Sequence, residues 1–200
     1  MNRAAAAAVS ILAGSAMAAE PPPISTLDSI TGASAPVQPA TALSLGSLQV
    51  TLEKSTFSDI AEIAPAPPGQ HGDAAGFEMW VCFTITGTRQ RLWLTSDEIG
   101  GHKYINGVVA ELIRNGIRAT SDCPALPKTY LPAHLDFGVW LGTSINELEK
   151  HLGAPTWTQD GALYFAYIGK DSEYDVTNTL IVRLDKGKVV ALRALHITTN

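Results

Sequence analysis

Two stretches of the chain, Thr56-Phe57-Ser58-Asp59-Ile60-Ala61-Glu62-Ile63-Ala64-Pro65-Ala66-Pro67 and Ser144-Ile145-Asn146-Glu147-Leu148-Glu149-Lys150-His151-Leu152-Gly153-Ala154-Pro155, align without a gap, 88 residues apart. Each opens with a hydroxyl residue followed three positions later by an acid. That is the capping box, in which the hydroxyl accepts from an orphan amide at the helix start and the carboxylate returns the bond. Each then places apolar residues one turn apart, Phe57, Ile60 and Ala64 in the first and Ile145, Leu148 and Leu152 in the second. Each stops at Pro or Gly before Ala-Pro. The spacing predicts two short amphipathic helices, each with one stripe to bury.

Working outward, the segments around these helices keep the same order. Upstream, Leu48 to Leu52 matches Phe137 to Leu141 after a one-residue shift. Downstream, Glu78 to Ile85 alternates as a strand with Met79, Val81, Phe83 and Ile85 on one side and Trp80, Cys82 and Thr84 on the other. Ala162 to Ile168 repeats the alternation, with Leu163, Phe165 and Tyr167 against Tyr164 and Ala166. A second strand follows in each copy (Arg91 to Thr95, Thr179 to Leu184), then a third (Tyr104 to Ile113, Val189 to Ile197), the last after the turn Asp185-Lys186-Gly187-Lys188. The expected fold class is α+β: two similar lobes, each a short helical segment packed on a three- or four-stranded antiparallel sheet.

The remaining segments set boundaries. Residues 1–18 combine Arg3, an apolar run from Ala4 to Gly14, and Ala16-Met17-Ala18, the pattern of a cleaved secretory signal. The run is too short for a spanning helix, which needs roughly 20 apolar residues. Residues 19–47, with Pro21-Pro22-Pro23, Pro36 and Pro39 among small residues, read as a disordered tether. The first repeat then covers 48–120, a Pro-rich linker 121–133, and the second repeat 134–200. Export makes the compartment oxidising, so Cys82 and Cys123, 41 residues apart and the only cysteines, are expected to form a disulfide. The expected location is periplasmic or secreted, and the expected product is soluble.

Val139-Trp140-Leu141-Gly142-Thr143-Ser144, Glu147-Leu148, Leu152-Gly153-Ala154-Pro155 and, after an aromatic strand, Leu184-Asp185-Lys186-Gly187-Lys188-Val189-Val190 resemble the repeat unit of the small outer-membrane-assembly lipoproteins. A tandem pair of such units resembles the β-lactamase-inhibitor proteins. The second repeat, from Phe137 to His196, carries most of the likeness; the first departs where Glu53-Lys54 and Pro65 stand in place of glycines. The resemblance implies an exported, non-catalytic module whose helices cover one sheet face and whose other sheet faces join into a concave binding surface. The partner does not carry over with the fold.

Strand alternation alone points to that surface as well. With Met79, Val81, Phe83 and Ile85 toward the helix, Trp80 and Cys82 face away, and so does Trp93 on the next strand. The same logic turns Tyr164, Ile181, Arg183 and Arg193 outward in the second repeat. Trp, Tyr and Arg are the residue types enriched at interface hot spots, so Trp80, Trp93, Tyr164, Arg183 and Arg193 are the candidate binding residues. The same aromatics would serve equally well beneath the linker or at the seam between lobes. A disulfide from Cys82 to Cys123 would lay the linker across the open face and hide part of Trp80 or Trp93.

Catalytic patterns are thin. No G-x-S-x-G elbow occurs, and Ser144 is explained as a cap. The five histidines show no metal-binding spacing; His71-Gly72-Asp73 is the best of them and lacks a third local donor. Neither a metal nor a cofactor is expected. With 14 basic against 19 acidic residues and a formal charge of −5, nucleic acid is not an expected partner. The leading expectation is a non-enzymatic, protein-binding or inhibitor-like module whose partner is another exported or envelope protein. The alternative is a binder of small ligands or cell-envelope glycans, with or without hydrolytic activity, that uses the groove between lobes.

Overall fold

The computed structural model describes residues 34–62, 65–72, 76–114 and 116–200. The segment read as a secretory signal lies outside them, as do residues 19–33 of the expected tether. In chain order the described elements are β1 (Ala42–Leu45), β2 (Leu48–Thr51), α1 (Phe57–Ala61), β3 (Gly69–His71), β4 (Glu78–Ile85), β5 (Gln90–Asp97) and β6 (Gly107–Leu112). After them come β7 (Ala133–Leu135), α2 (Ile145–Leu152), β8 (Trp157–Gln159), β9 (Ala162–Asp171), β10 (Tyr174–Asp185) and β11 (Lys188–Thr199). The fold is α+β and β-rich.

Both helices start where the hydroxyl-to-acid spacing puts them. Thr56 accepts from the Asp59 amide and Asp59 returns the bond to the Thr56 amide; Ser144 and Glu147 do the same for α2. Both carboxylates are held below their ordinary pKa, chiefly by the backbone bond from the cap residue and then by its hydroxyl. Helix α2 buries Leu148 and Leu152 completely, whereas α1, cut short before the Pro-rich stretch, buries only Ile60. A fully buried leucine or isoleucine contributes about 1.5 to 3 kcal/mol, so α2 is the better anchored of the two.

The strands of the two repeats do not form a sheet each. Eight of them make one antiparallel sheet in the order β3-β4-β5-β6-β11-β10-β9-β8. The expectation of a separate sheet in each lobe is therefore corrected. The last strand of each half would expose a row of unpaired backbone groups, and an exposed edge is costly or adhesive. Here the two edges pair with each other, from Ala191 opposite Glu111 to Leu195 opposite Gly107. At the seam Gly107 leaves no space for a side chain, because a Cβ there would collide with the Thr95 hydroxyl.

The expected tether is also corrected from residue 34 onward. Strand β1 pairs with β2 on one side and β7 on the other in a three-stranded sheet, and Ala35, Ala40, Leu43 and Leu45 are buried. Low charge and small residues give no local sign of this order, because the partners that fix the segment lie far along the chain. Asn178, itself buried, binds both backbone groups of Ala40, and Asp136 accepts from the Thr41 amide, the Thr41 hydroxyl and the Ala42 amide. Ser34 and Ala35 in turn bond to the β9 backbone at Ile168 and Ala166.

The main core lies on one face of the large sheet. Val81, Phe83, Leu92, Leu94, Phe165, Leu180 and Leu192 form a single cluster with Ile60, Leu148 and Leu152 of the helices and Leu43, Leu45, Val50 and Leu135 of the small sheet. The inward side of β4 and β5 is therefore the side that alternation assigned to it.

Candidate functional site

The opposite face carries the candidate residues, and the sheet register lines several of them up. Reading across the strands, Cys82 opposes Trp93, Trp93 opposes Val109, Val109 opposes Arg193, Arg193 opposes Ile181, Ile181 opposes Tyr164, and Tyr164 opposes Trp157. Residues directly opposite on one face sit with Cβ atoms about 5 Å apart, so this is one continuous row with an apolar patch at each end and a cation in the middle. One row over lie Arg91, Glu111, Ala191 and Arg183, again in direct succession.

In the first half of the face the row is sealed. Cys82 and Cys123 form a disulfide with their Cα atoms 4.7 Å apart. The Thr84 amide donates to Pro124 O at 2.8 Å, the Leu126 amide to Thr84 O at 2.9 Å, and the Thr84 hydroxyl to Cys123 O at 3.0 Å. The segment after Cys123 thus takes up the edge of β4 beyond the end of β3. Trp80, Cys82, Trp93, Val109 and Cys123 make a small second core. Trp80 and Trp93, expected on a partner-facing surface, are only 2% and 1% exposed. Of the two placements left open by the sequence, cover rather than contact is the one found here. The disulfide pins the linker to an outward position, and Gly69 of β3 packs on the Trp80 indole so closely that a Cβ there would collide with the ring.

The second half is uncovered at its rim. Tyr164, expected on a partner-facing surface, is buried at 8% exposed, in a third apolar cluster with Ile181 and Ala162 and with Ala191 against it. Trp157 meets Tyr164 with ring centroids 5.8 Å apart and stays 37% exposed. Arg183 is exposed. Trp157 was missed by sequence reasoning, although a signal was present. Asp160-Gly161 is the favoured dipeptide of a two-residue hairpin loop; both residues have positive φ, and the loop they close sets Gln159 opposite Ala162 and therefore Trp157 opposite Tyr164.

Between the halves stands Arg193, 5% exposed, donating to Glu78 Oε1 at 2.6 Å. Removing one partner of a buried pair leaves an uncompensated charge, so this bond is a fixed part of the fold. Arg193 is accordingly a strut beneath the face rather than a contact on it.

Two of the cavities lined by described residues flank the sheet. One of about 240 Å³ lies under α1 against Phe57, Ile60, Met79, Val81 and Phe83, where the short helix leaves the sheet partly bare. The other, about 350 Å³, opens at the end of the seam among Arg89, Glu111, Arg114, Arg183 and Asp185, with Leu112, Val190 and Ala191 supplying apolar wall.

Titratable groups elsewhere serve the fold. The Asn178 amide donates to His196 Nδ1 at 2.6 Å, which leaves Nε2 to carry the ring proton toward Glu53, 3.5 Å away. Burial holds the His196 pKa below its ordinary value against the opposing pull of Glu53 and Asp171. Glu53 also accepts from the Thr198 amide and hydroxyl, so its carboxylate is fully engaged. Asp97 closes a turn by accepting from the Ile99 and Gly100 amides and from Asn106. His151 stacks on Phe137 with centroids 5.6 Å apart. Asp73, of the His71-Gly72-Asp73 motif, lies outside the described residues. Among the described residues, no group of three or more His, Cys, Asp and Glu side chains is placed to hold a metal ion, and no helix is long and apolar enough to cross a membrane.

Compared with known proteins, the chain matches no family model, and no curated protein and no solved structure is significantly similar to it.

Proposed function

We propose that the chain is an exported, inhibitor-like binding module without chemistry of its own, which engages another exported or envelope protein through the second half of its open sheet face. The observation that carries this is the contrast along one row of the sheet, where Trp157 stands 37% exposed over Tyr164 while both tryptophans of the first half are buried. An exposed tryptophan on a face that also carries the exposed Arg183 has the composition of an interface. Two further features support it. The element order, a capped helix followed by four strands in each half, is what two copies of one unit would give, and the disulfide suits an oxidising compartment.

The test is capture from an envelope extract of the source cell by the wild-type protein and by Trp157→Ala. The expected result is a retained protein that the variant retains at least about tenfold less, as for a hot-spot aromatic. Equal retention by both proteins, or retention of glycan alone, overturns the proposal.

A further inference from the structure

The seam cavity has an unbalanced set of charges. It is built by both halves: Thr88 and Arg89 precede β5, Glu111 to Arg114 close β6, and Arg183, Asp185, Val190 and Ala191 come from the β10–β11 hairpin. It also sits at a β-bulge. Leu184 pairs with Val189 but Arg183 pairs with Ala191, so Val190 is an inserted residue. A bulge bends its strand and re-aims the neighbouring side chains, and here Val190 and Ala191 both wall the cavity.

Of the three arginines, Arg114 is taken up by Asp185 at 3.2 Å, with both side chains well exposed. Glu111 stands directly opposite Arg91 on β5. Arg89 and Arg183 have no anionic partner among the described residues. With Asp185 and Glu111 thus faced by Arg114 and Arg91, the two arginines that remain, Arg89 and Arg183, share the cavity. Arg89 also occupies a turn position at φ 54°, a conformation for which Gly or Asn is the usual choice.

We propose that this cavity is a carboxylate-recognition subsite that receives one acidic side chain from a loop of the protein partner. It rests on the reading of the adjoining face as a protein-binding surface. The carboxylate is held by the Arg89 and Arg183 guanidinium groups, whose fork of donors matches it. The aliphatic stem lies against Leu112 and Val190. Glu111 and Asp185 on the same wall repel a phosphate with nearly two charges more than a carboxylate with one. The apolar wall likewise suits a group carried on a hydrocarbon stem.

The experiment is an NMR titration of the full chain with acetyl-Gly-Glu-Gly-amide, with acetyl-Gly-Gln-Gly-amide and inorganic phosphate as the other arms. The glutamate peptide is expected to shift the amides of Arg89, Leu112 and Ala191, weakening as salt is raised. The glutamine peptide should leave them in place. Arg89→Gln and Arg183→Gln should each weaken the response about tenfold, the scale of one charge-assisted hydrogen bond. Both side chains are exposed, so neither change threatens the fold. The proposal is overturned by no shift up to the solubility limit of the peptide, by equal shifts with the glutamine peptide, by variants that bind as well as the wild type, or by tighter binding of phosphate. Because Trp157→Ala tests the face and the arginine variants test the cavity, failure of one is distinguishable from failure of the other.

Discussion

Trp93 and Trp157 stand in the same cross-strand row of the same sheet face, yet one is 1% and the other 37% exposed. What separates them is the place of each in the sheet, Trp93 on the interior strand β5 and Trp157 on the end strand β8, and what covers the neighbouring edge. In the first half the edge of β4 is continued by the segment after Cys123, which the disulfide holds over Cys82 and its neighbours. In the second half the edge of β9 is continued by Ser34 and Ala35, which bond only to its backbone. No cross-link ties that second segment down onto the open face. Both halves protect a long strand from edge-to-edge association, but only the first also closes the face above it. Within one row Trp93 thus becomes core, while Trp157 stays at the surface over Tyr164 and Ile181, which are themselves buried.

The largest effects should follow that division. Trp93→Ala is expected to destabilise the protein by about 3 to 5 kcal/mol, the cost of emptying a large buried aromatic site. Trp157→Ala should change stability by only about 0.5 kcal/mol, as for a surface substitution. Denaturant unfolding of both variants at a common slope measures the pair. A cost at Trp157 as large as at Trp93 would show that the second half is packed like the first, and would remove the distinction.

Somewhat smaller is the effect of releasing the cover itself. Cys82→Ser with Cys123→Ser opens a loop of 41 residues, for which chain entropy gives about 3 to 4 kcal/mol. The sharper expectation is where the loss appears. Hydrogen exchange should rise at Thr84 and Leu126, whose amides bond across this edge, and tryptophan emission should shift red, while amides of β9 and β10 exchange as before. Uniform exposure of both halves would mean that the segment after Cys123 stabilises the whole molecule rather than sealing one end of its face.

Much of this was legible from the sequence, and the parts that were share a cause. Helix caps, strand alternation and the Asp185-Lys186-Gly187-Lys188 turn are local, set by residues within one turn or one pleat of each other. So Val81 and Phe83 were assigned inward, Trp80 and Trp93 to the other side, and Thr56 and Ser144 to the caps, all from spacing. The pairing of β6 with β11 is different, because nothing near Val108 or Ala194 announces which distant edge will meet it. Residues 42–45 show the same limit: their order depends on Asp136 and Asn178, far along the chain. Exposure on the open face was hardest of all. Side-chain alternation says which face a residue is on, and only the covering segments say whether that face meets water.

The smallest expected difference lies between the two caps. Ser144→Ala should cost about 1 kcal/mol, since it leaves the Glu147 amide without its acceptor at the start of a helix whose Leu148 and Leu152 are fully buried. Thr56→Ala removes the same bond from a five-residue helix that buries only Ile60. It should cost less, because less packing depends on that turn being formed. Both losses should fade in acid. The Asp59 and Glu147 carboxylates sit below their ordinary values of 3.8 and 4.5 because they accept bonds from the cap residues. A depressed folded pKa contributes stability that is complete above the unfolded value and is lost as pH falls through the folded one. The gap in melting temperature between wild type and Ser144→Ala should therefore narrow, without vanishing, as pH drops below 4.5, and the Thr56→Ala gap likewise below 3.8. A Ser144→Ala gap that stays constant across that range would mean the Ser144 hydroxyl adds nothing useful to the carboxylate, whose bond from the backbone amide alanine keeps.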